Sequence, residues 1–139
     1  MYSANTKFLV VDDFMMVRDM VKKALGAKGL TNIITAKNGH EALTILNESN
    51  NKNEPIEFII SDWNMPVMTG IDLLKTCRGD DKFKSIPFLM VTAERDQAQI
   101  IEAAKLGVSD YIIKPFSSTT LLEKIEKIYQ KKMKTEKGN

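Results

Sequence analysis

The 139-residue chain is poor in cysteine and histidine and has no long apolar run. Its one cysteine, Cys77, permits no internal disulfide and falls in a predicted helix, which indicates a small buried hydrophobe. Its one histidine, His40, begins a second predicted helix, and we expect a structural or surface role for it. With no apolar run near the ~20 residues that span a bilayer, and no signal-peptide core in residues 1–7, we expect a cytoplasmic location without membrane contact.

The chain also lacks a large excess of either charge, with 20 Lys and Arg against 18 Asp and Glu. The formal net charge is +2, and residues 131–139 alone hold four Lys and one Glu. The remaining chain is therefore slightly acidic, which argues against a nucleic-acid partner, because such domains carry a basic stripe on their folded part. We expect one compact domain over 1–131 and a flexible, solvated tail over 132–139.

Five short apolar runs recur along the chain, each continuous rather than alternating. Continuous runs rich in β-branched and aromatic residues are typical of strands buried on both faces of a parallel sheet. The runs are Phe8 to Val11, Ile33 to Ala36, Phe58 to Ile60, Ile86 to Val91 and Tyr111 to Ile113.

Amphipathic helical patterns lie between the runs and after the last one. In the first helix, Met16 and Met20 share the apolar spacing and are interpreted as core residues. Gly29 and Gly107 stand where helices should end. The polar stretch over residues 48–55 is predicted to be a surface loop. The order is (βα)₅, which predicts an α/β fold with a doubly wound parallel sheet of five strands. Ser117 or Ser118 offers an N-cap for the last helix.

Polar residues follow four of the five predicted strands. Asp12 and Asp13 follow the first, Asp62 the third, Thr92 the fourth and Lys114 the fifth. Since the carboxyl ends of parallel strands meet at one edge of the sheet, these side chains are expected to converge on one pocket. A set of carboxylate oxygens suits a hard ion, and Mg²⁺ fits better than Ca²⁺ or Zn²⁺.

The same pocket has the chemistry of a phosphoryl site. A divalent ion beside a carboxylate neutralises charge during phosphoryl transfer, Lys114 can pair with a phosphate oxygen, and the Thr92 hydroxyl can donate to another. The chain has no Ser–His or Cys–His arrangement, so the nucleophile is expected to be a carboxylate.

At these residues the sequence resembles the receiver domain of bacterial two-component response regulators. The resemblance runs from about Lys7 to Ile128 and implies a flavodoxin-like fold with strand order 2-1-3-4-5. The motifs that carry it are Val10-Val11-Asp12-Asp13, Asp62-Trp63-Asn64-Met65-Pro66, Met68-Thr69-Gly70, Val91-Thr92-Ala93 and Lys114-Pro115-Phe116.

The resemblance implies a role for each acidic residue of the pocket. Asp62 would be the phosphoacceptor. Mg²⁺ would be bound by the side chains of Asp13 and Asp62, by the backbone carbonyl of Asn64, and by Asp12 through water. Asn64 and Glu94 would tune hydrolysis of the phosphoryl group.

The resemblance also implies a switch. Thr92, Lys114 and Tyr111 would respond to the phosphoryl group, and Tyr111, Arg95 and Lys124 would lie on the output face. Thr92 would move towards a phosphoryl oxygen, and the vacated space would let Tyr111 turn inward. A cis peptide bond before the proline after Lys114 is expected as well.

Within the family, the likeness is to the stand-alone chemotaxis regulators, and it rests on the Asp62-to-Pro66 string, the run from Gly70 to Lys75, Glu94 and Lys124. The expected partners are a sensor histidine kinase, a flagellar motor switch protein and a phosphatase, and the expected state is a monomer. The alternative is a phosphorelay shuttle or phosphate sink that passes the group to a histidine phosphotransfer protein. A turnover phosphohydrolase is disfavoured, because Asn64 stands where such enzymes commonly place a second acid. Residues 95–97, less basic than in many members, and the long 48–55 stretch depart from the family pattern.

Overall fold

Strands and helices alternate strictly along the chain. The computed structural model describes residues 2–93 and 97–137, with side chains as far as residue 135. The strands are β1 (Phe8–Val11), β2 (Ile33–Ala36), β3 (Phe58–Asp62), β4 (Phe88–Thr92) and β5 (Asp110–Ile113). The helices are α1 (Met15–Gly26), α2 (Gly39–Asn51), α3 (Gly70–Arg78), α4 (Gln97–Lys105) and α5 (Ser118–Lys137).

The five strands form one parallel sheet in the order β2-β1-β3-β4-β5. This confirms the predicted fold class and strand order. The order reverses between β1 and β3, because β2 lies on one side of β1 and β3, β4 and β5 follow on its other side. A crevice opens at such a reversal, outside the carboxyl ends of the strands.

Each face of the sheet has its own apolar core. Leu9 and Val11 of β1 belong to a buried cluster with residues of α2 and α3, whereas Phe8 and Val10 belong to a cluster with residues of α1 and α5. Alternate side chains of β1 therefore enter opposite cores. The apolar runs in the sequence are continuous for this reason, as predicted.

Several helix ends follow the sequence signals. Gly29 and Gly107 have φ values of 78° and 90°, in the left-handed region that glycine adopts without a steric penalty. The Ser117 hydroxyl accepts a hydrogen bond from the Thr120 N–H at 3.1 Å and so caps α5. Among the described residues, no helix combines the length and the apolar character that crossing a bilayer requires.

Two local predictions are wrong. Met16 was expected in the core but is 84% exposed, because it lies in the first turn of α1, whereas Val21, Ala24 and Leu25 further along are the buried residues. The stretch predicted as a loop over 48–55 is helical as far as Asn51.

The loop prediction failed for an energetic reason. The low helix propensities of Ser and Asn cost only a few tenths of a kcal/mol each, up to about 0.7 kcal/mol. Burial of the apolar face of α2, which places Ala42 and Leu46 in the core and carries Ser49 at 5% exposure, outweighs that cost. In addition, α5 passes straight through the predicted domain boundary at residue 131, so 132–137 continue a helix.

Candidate functional site

The polar residues that follow the strands meet at the carboxyl edge of the sheet. β1 and β3 are neighbours, so Asp12, just after β1, lies beside Asp62, the last residue of β3. β4 ends in Thr92 and β5 is followed by Lys114, whose N–H donates to the Thr92 carbonyl at 2.8 Å. The predicted convergence is therefore present in the structure.

Three carboxylates form a cluster in the crevice. Oxygens of Asp12, Asp13 and Asp62 lie within 4.8 Å of one another. Asp12 is 2% exposed and Asp62 5% exposed, while Asp13 is open to solvent. Two buried acids and one exposed acid make a pocket whose mouth faces water. A ligand can reach it without any rearrangement of the core.

One cation balances the two buried acids. The Lys114 Nζ lies 3.1 Å from Asp12 Oδ2 and 3.3 Å from Asp62 Oδ1. The Lys114–Pro115 peptide bond is cis, as expected. Burial works to lower the pKa of Lys114, but hydrogen bonding to Asp12 and the charges of both acids raise it above its ordinary value. Lys114 therefore stays charged in the pocket.

Asp62 differs from an ordinary surface aspartate in its acidity. Burial and the neighbouring Asp12 charge raise the pKa of Asp62 from 3.8 to about 6, and Lys114 opposes this rise. Desolvation and repulsion from Asp12 thus disfavour the ionised form of Asp62, and Lys114 partly compensates for both. At pH 7 and above Asp62 is a carboxylate, which can act as a nucleophile and gains from any added cation.

Backbone and side-chain contacts hold Asp12 in place. Its Oδ1 accepts a hydrogen bond from the Phe14 N–H at 2.9 Å, and its carbonyl accepts one from Arg18 Nη1 at 2.7 Å. Arg18 lies one turn into α1, so the start of this helix is tied to the acid that pairs with Lys114. These contacts leave Asp12 Oδ2 for Lys114.

The loop after Asp62 is anchored at close range. The Gly70 N–H donates to the Trp63 carbonyl at 2.8 Å, and the Trp63 N–H donates to the Val91 carbonyl at 2.8 Å. A Cβ on Gly70 would collide with the Asp62 carbonyl oxygen, so a residue without a side chain is required here. Thr69 caps α3 through a bond from the Asp72 N–H, which fixes where the helix begins.

The predicted switch residues extend from the pocket to the edge strand β5. Thr92 is 1% exposed, and Tyr111 is half-buried against the core of the α3 face. The Lys124 Nζ lies 5.5 Å from the centre of the Tyr111 ring and 3.4 Å from Asp110 Oδ1, so this cation is next to Tyr111.

Of three further predicted site residues, the structure describes only Asn64. Asn64 is exposed, two residues after Asp62. Glu94, predicted to tune hydrolysis, and Arg95, predicted on the output face, lie outside the described residues. The histidine that was expected to have a surface role, His40, is exposed, and Cys77 is buried as expected.

The donor set fits a hard divalent cation. Asp12, Asp13 and Asp62 supply only carboxylate oxygens, and Asp13 lies at the solvent side, where ion-bound water can remain. Burial and the Asp12 charge together raise the pKa of Asp62 more than Lys114 lowers it, so an added cation would stabilise the ionised carboxylate. A group of this kind could hold Mg²⁺, which commonly binds one or two carboxylates and keeps several waters.

Four exposed apolar residues, which we call the apolar rim, lie close in the chain to the acids of the pocket. Among the described residues, Phe14, Met15, Met16 and Val67 are large hydrophobic side chains with 63%, 64%, 84% and 83% exposure. The first three directly follow Asp13 in the chain, and Val67 is in the loop after Asp62. Large exposed apolar side chains next to a polar site are typical of surfaces that take part in interactions.

Sequence reasoning missed three residues that support the site. Arg18 and Gly70 position the backbone around Asp12 and Asp62, and the Phe14 N–H holds the Asp12 side chain. A glycine directly after the N-cap Thr69 was a usable signal, since glycine is otherwise unfavourable in a helix. Arg18 gave no signal, because its partner is a backbone carbonyl.

Comparison with known proteins agrees with the geometry. Residues 8–126 match the response regulator receiver domain family. The chain is 48% identical over 125 residues to the chemotaxis protein CheY of Pseudomonas aeruginosa, covering 90% of this chain and 97% of that protein. It is 47% identical over 127 residues to CheY-3 of Vibrio cholerae, covering 91% and 94%.

A solved structure shows the same fold. The chemotaxis response regulator CheY4 of Vibrio cholerae superposes with a TM-score of 0.77 at 35% identity, covering 88% of this chain and 98% of that one. The Francisella response regulator 1452 receiver domain gives a TM-score of 0.79 at 30% identity, covering 91% and 98%. The chain therefore belongs to the response regulator receiver domain family.

Proposed function

We propose that this chain is a chemotaxis response regulator that accepts a phosphoryl group on Asp62 and thereby changes its affinity for a flagellar motor switch protein. The observation that carries the proposal is the arrangement of Lys114, which lies within 3.3 Å of Asp62 and 3.1 Å of Asp12 beside a third acid. Similarity to the CheY proteins supports the chemotaxis role.

The phosphoryl transfer follows from the groups in the pocket. A carboxylate oxygen of Asp62 forms a bond to phosphorus as the P–N bond of a phosphohistidine on a sensor kinase breaks. The imidazole nitrogen keeps the electron pair and takes up a proton. Lys114 pairs with the incoming phosphoryl oxygens. Mg²⁺ would be held by the side chains of Asp13 and Asp62, by the backbone carbonyl of Asn64 and by Asp12 through water, and it would neutralise charge that develops during the transfer.

The signal then passes along the sheet. The phosphoryl group brings up to two negative charges and three acceptor oxygens, and Lys114 is drawn from Asp12 towards them. The buried Thr92 hydroxyl donates to one oxygen, and Tyr111, half-buried on the next strand, takes up the space beside it. Tyr111 and Lys124 would then present a changed surface to the target.

The proposal describes a signalling protein rather than a turnover enzyme. Asn64, two residues after Asp62, is an amide without a dissociable proton, so it offers no general acid or base for repeated hydrolysis. With Glu94, it would tune the lifetime of the acyl phosphate, and a separate phosphatase would shorten it.

Mass spectrometry tests the acceptor. With Mg²⁺ and acetyl phosphate, the protein is expected to gain one phosphoryl mass, and Asp62→Asn is expected to abolish this gain. Asp81→Asn, at an exposed acid on the opposite side of the domain, is the matched control and should behave as wild type. A phosphoryl gain that survives Asp62→Asn would contradict the assignment.

Binding to a motor-switch peptide tests the output. Beryllofluoride, which imitates a phosphoryl group on a carboxylate, is expected to tighten that binding. Unchanged binding, together with rapid transfer from phospho-Asp62 to a histidine phosphotransfer protein, would instead support a phosphorelay shuttle or phosphate sink.

Substitution in the apolar rim tests whether a protein kinase, and not only a small phosphodonor, contacts this surface. If a kinase domain packs over Phe14, Met15, Met16 and Val67, then Met16→Ser should slow transfer from the phosphorylated kinase about tenfold. Transfer from acetyl phosphate, which is too small to contact the rim, should change less than about twofold. Ile101→Ser, at another exposed apolar residue on α4, is the control. Equal slowing with both donors would show that the substitution disturbs the pocket itself.

A further inference from the structure

The last turns of α5 extend beyond the part of the chain that matches the receiver family. The match ends at residue 126, while α5 continues to Lys137, about three turns further. We call residues 127–137 the basic extension. As far as residue 135, the last buried residue is Ile128, and Tyr129 and Met133 are half-buried. Most of its remaining described side chains are exposed, so core packing does not account for its length.

The basic extension carries four lysines that form no ion pair with any side chain that the structure describes. Lys127, Lys131, Lys132 and Lys134 are exposed. Across the portions of the chain that the structure describes, no carboxylate oxygen lies within ion-pair distance of their amines. Four lysines on about two turns of helix create a local positive potential on an otherwise slightly acidic domain.

A cleft of about 420 Å³ lies between the basic extension and the amino-terminal ends of β4 and β5. Pro87, Val108 and Ile128 supply its apolar lining, which we call the apolar floor, and its other lining residues are Ser85, Ser109, Lys131, Lys132 and Thr135. A cleft of this size takes one large apolar side chain or a short stretch of peptide. The lysines that line the cleft favour acidic groups on either side of that chain.

The cleft is continuous with the predicted output face. Lys124, Ile128, Lys131 and Thr135 follow helical spacing and form one stripe along α5. The stripe begins where Lys124 meets Asp110 and the Tyr111 ring, and it ends in the cleft. It is about 16 Å long, which matches roughly three turns of a bound helix.

We propose that the basic extension and its cleft are a docking site for an acidic amphipathic segment of a partner protein, which places one apolar side chain in the cleft. This inference rests on the proposed function in that the site lengthens the same output face. A peptide fits better than a nucleic acid, because a phosphate backbone would leave the apolar floor uncovered.

Fluorescence anisotropy with three labelled probes tests the proposal. The first probe is a 15-residue synthetic helical peptide with Asp and Glu on one face and Leu on the other. The second has Ser in place of Leu, and the third is a 15-base-pair DNA duplex. The first peptide is expected to bind tightest, and the Ser peptide about fivefold more weakly because it cannot fill the cleft.

Matched charge variants locate the site. Lys131→Gln/Lys132→Gln removes two charges at the cleft, and Lys22→Gln/Lys23→Gln removes two exposed charges from α1. The first pair should weaken binding of the acidic peptide about tenfold and the second less than about twofold. Circular dichroism checks that α5 stays helical in both.

The outcomes separate this proposal from the proposed function. Phosphoryl gain on Asp62 should be unchanged in Lys131→Gln/Lys132→Gln, and Asp62→Asn should still bind the acidic peptide. No binding of that peptide, equal weakening by both charge pairs, or tighter binding of the DNA duplex would overturn the docking site. None of these results would affect the assignment of Asp62 as the acceptor.

Discussion

The two ends of the β-sheet are built in opposite ways. At the amino-terminal end, Tyr2 packs edge-on against Phe8, Phe58 and Tyr129, with ring centres 5.9, 5.4 and 4.8 Å apart. At the carboxyl-terminal end, two buried acids share one lysine, and the loop after Asp62 places a β-branched residue, Val67, at φ 70°. One end is apolar and relaxed, while the other is charged and strained.

The contrast shows where the domain obtains its stability and where it gives stability up. Burial of aromatic surface is favourable and needs no partner of defined charge, so the amino-terminal end stabilises the fold. Like charges held close together and a left-handed β-branched residue are both unfavourable. Such features persist at a functional site because the rest of the structure supports them. Substitutions at the two ends should therefore have opposite signs.

The largest effect is expected at Phe58. Its side chain is fully buried and its ring lies 5.2 Å from that of Phe8. Phe58→Ala should lower the free energy of unfolding by about 3–5 kcal/mol, since it removes a buried ring and leaves a cavity. Urea unfolding measures this loss. Phe58→Leu, which keeps most of the volume, should cost much less, and similar losses for the two would show that the site is not tightly packed.

A second large effect is expected at Arg78, also near the amino-terminal end. Its guanidinium donates to the carbonyls of Gly107, Lys84 and Ile86 at 2.9, 3.1 and 2.8 Å and so ties α3 to two loops. Arg78→Ala should lower the free energy of unfolding by about 2–3 kcal/mol. Arg78→Lys keeps the charge but cannot reach three carbonyls at once. Full recovery by lysine would show that charge, and not the fork of donors, is what matters.

Much of the fold and site follows from local sequence pattern. Continuous apolar runs such as Phe8 to Val11 mark buried strands, and polar residues directly after them must share one edge of a parallel sheet. Asp12, Asp62 and Lys114 could therefore be placed together from their positions alone. The strand order came from the resemblance to the receiver family, because local pattern does not specify which strands are neighbours.

The features that could not be predicted from the sequence depend on tertiary contacts. Met16 has the spacing of a core residue, but periodicity does not show that the first turn of α1 projects beyond the sheet. The Arg78 contacts join backbone carbonyls six to 29 residues away, and carbonyls leave no trace in side-chain pattern. The left-handed backbone of Val67 could not be predicted either, since nothing in the sequence around it requires that conformation.

A change of opposite sign is expected at Asp62 when metal is removed with EDTA. Its pKa of about 6 in the folded protein exceeds the ordinary value of 3.8, so the folded state binds the proton more tightly than the unfolded state. Stability associated with this group is present below pH 4 and is lost as pH rises through about 6. Asp62→Asn should therefore stabilise the protein at pH 7 by about 1 kcal/mol and have little effect at pH 4.

Thermal unfolding in EDTA at the two pH values measures this difference. Mg²⁺ should reverse the order at pH 7, because it stabilises the wild-type carboxylate and not the amide. Asp81→Asn is again the exposed control and should show no comparable dependence on pH. If Asp62→Asn destabilised the protein at pH 7 in EDTA, the pairing with Lys114 would outweigh burial and repulsion.

An effect no larger than that at Asp62 is expected at Val67, where the strain of the carboxyl-terminal end can be isolated from its charge. The side chain is 83% exposed, so its removal should cost little packing, whereas φ 70° is unfavourable for a β-branched residue. Val67→Gly should raise the free energy of unfolding by about 1 kcal/mol. Asn53, at φ 59°, is the matched control: asparagine tolerates this conformation, so Asn53→Gly should change stability by only about 0.3 kcal/mol. Equal urea midpoints for the two glycine variants would mean that the loop after Asp62 stores no strain, and the contrast between the two ends of the sheet would then be one of charge alone.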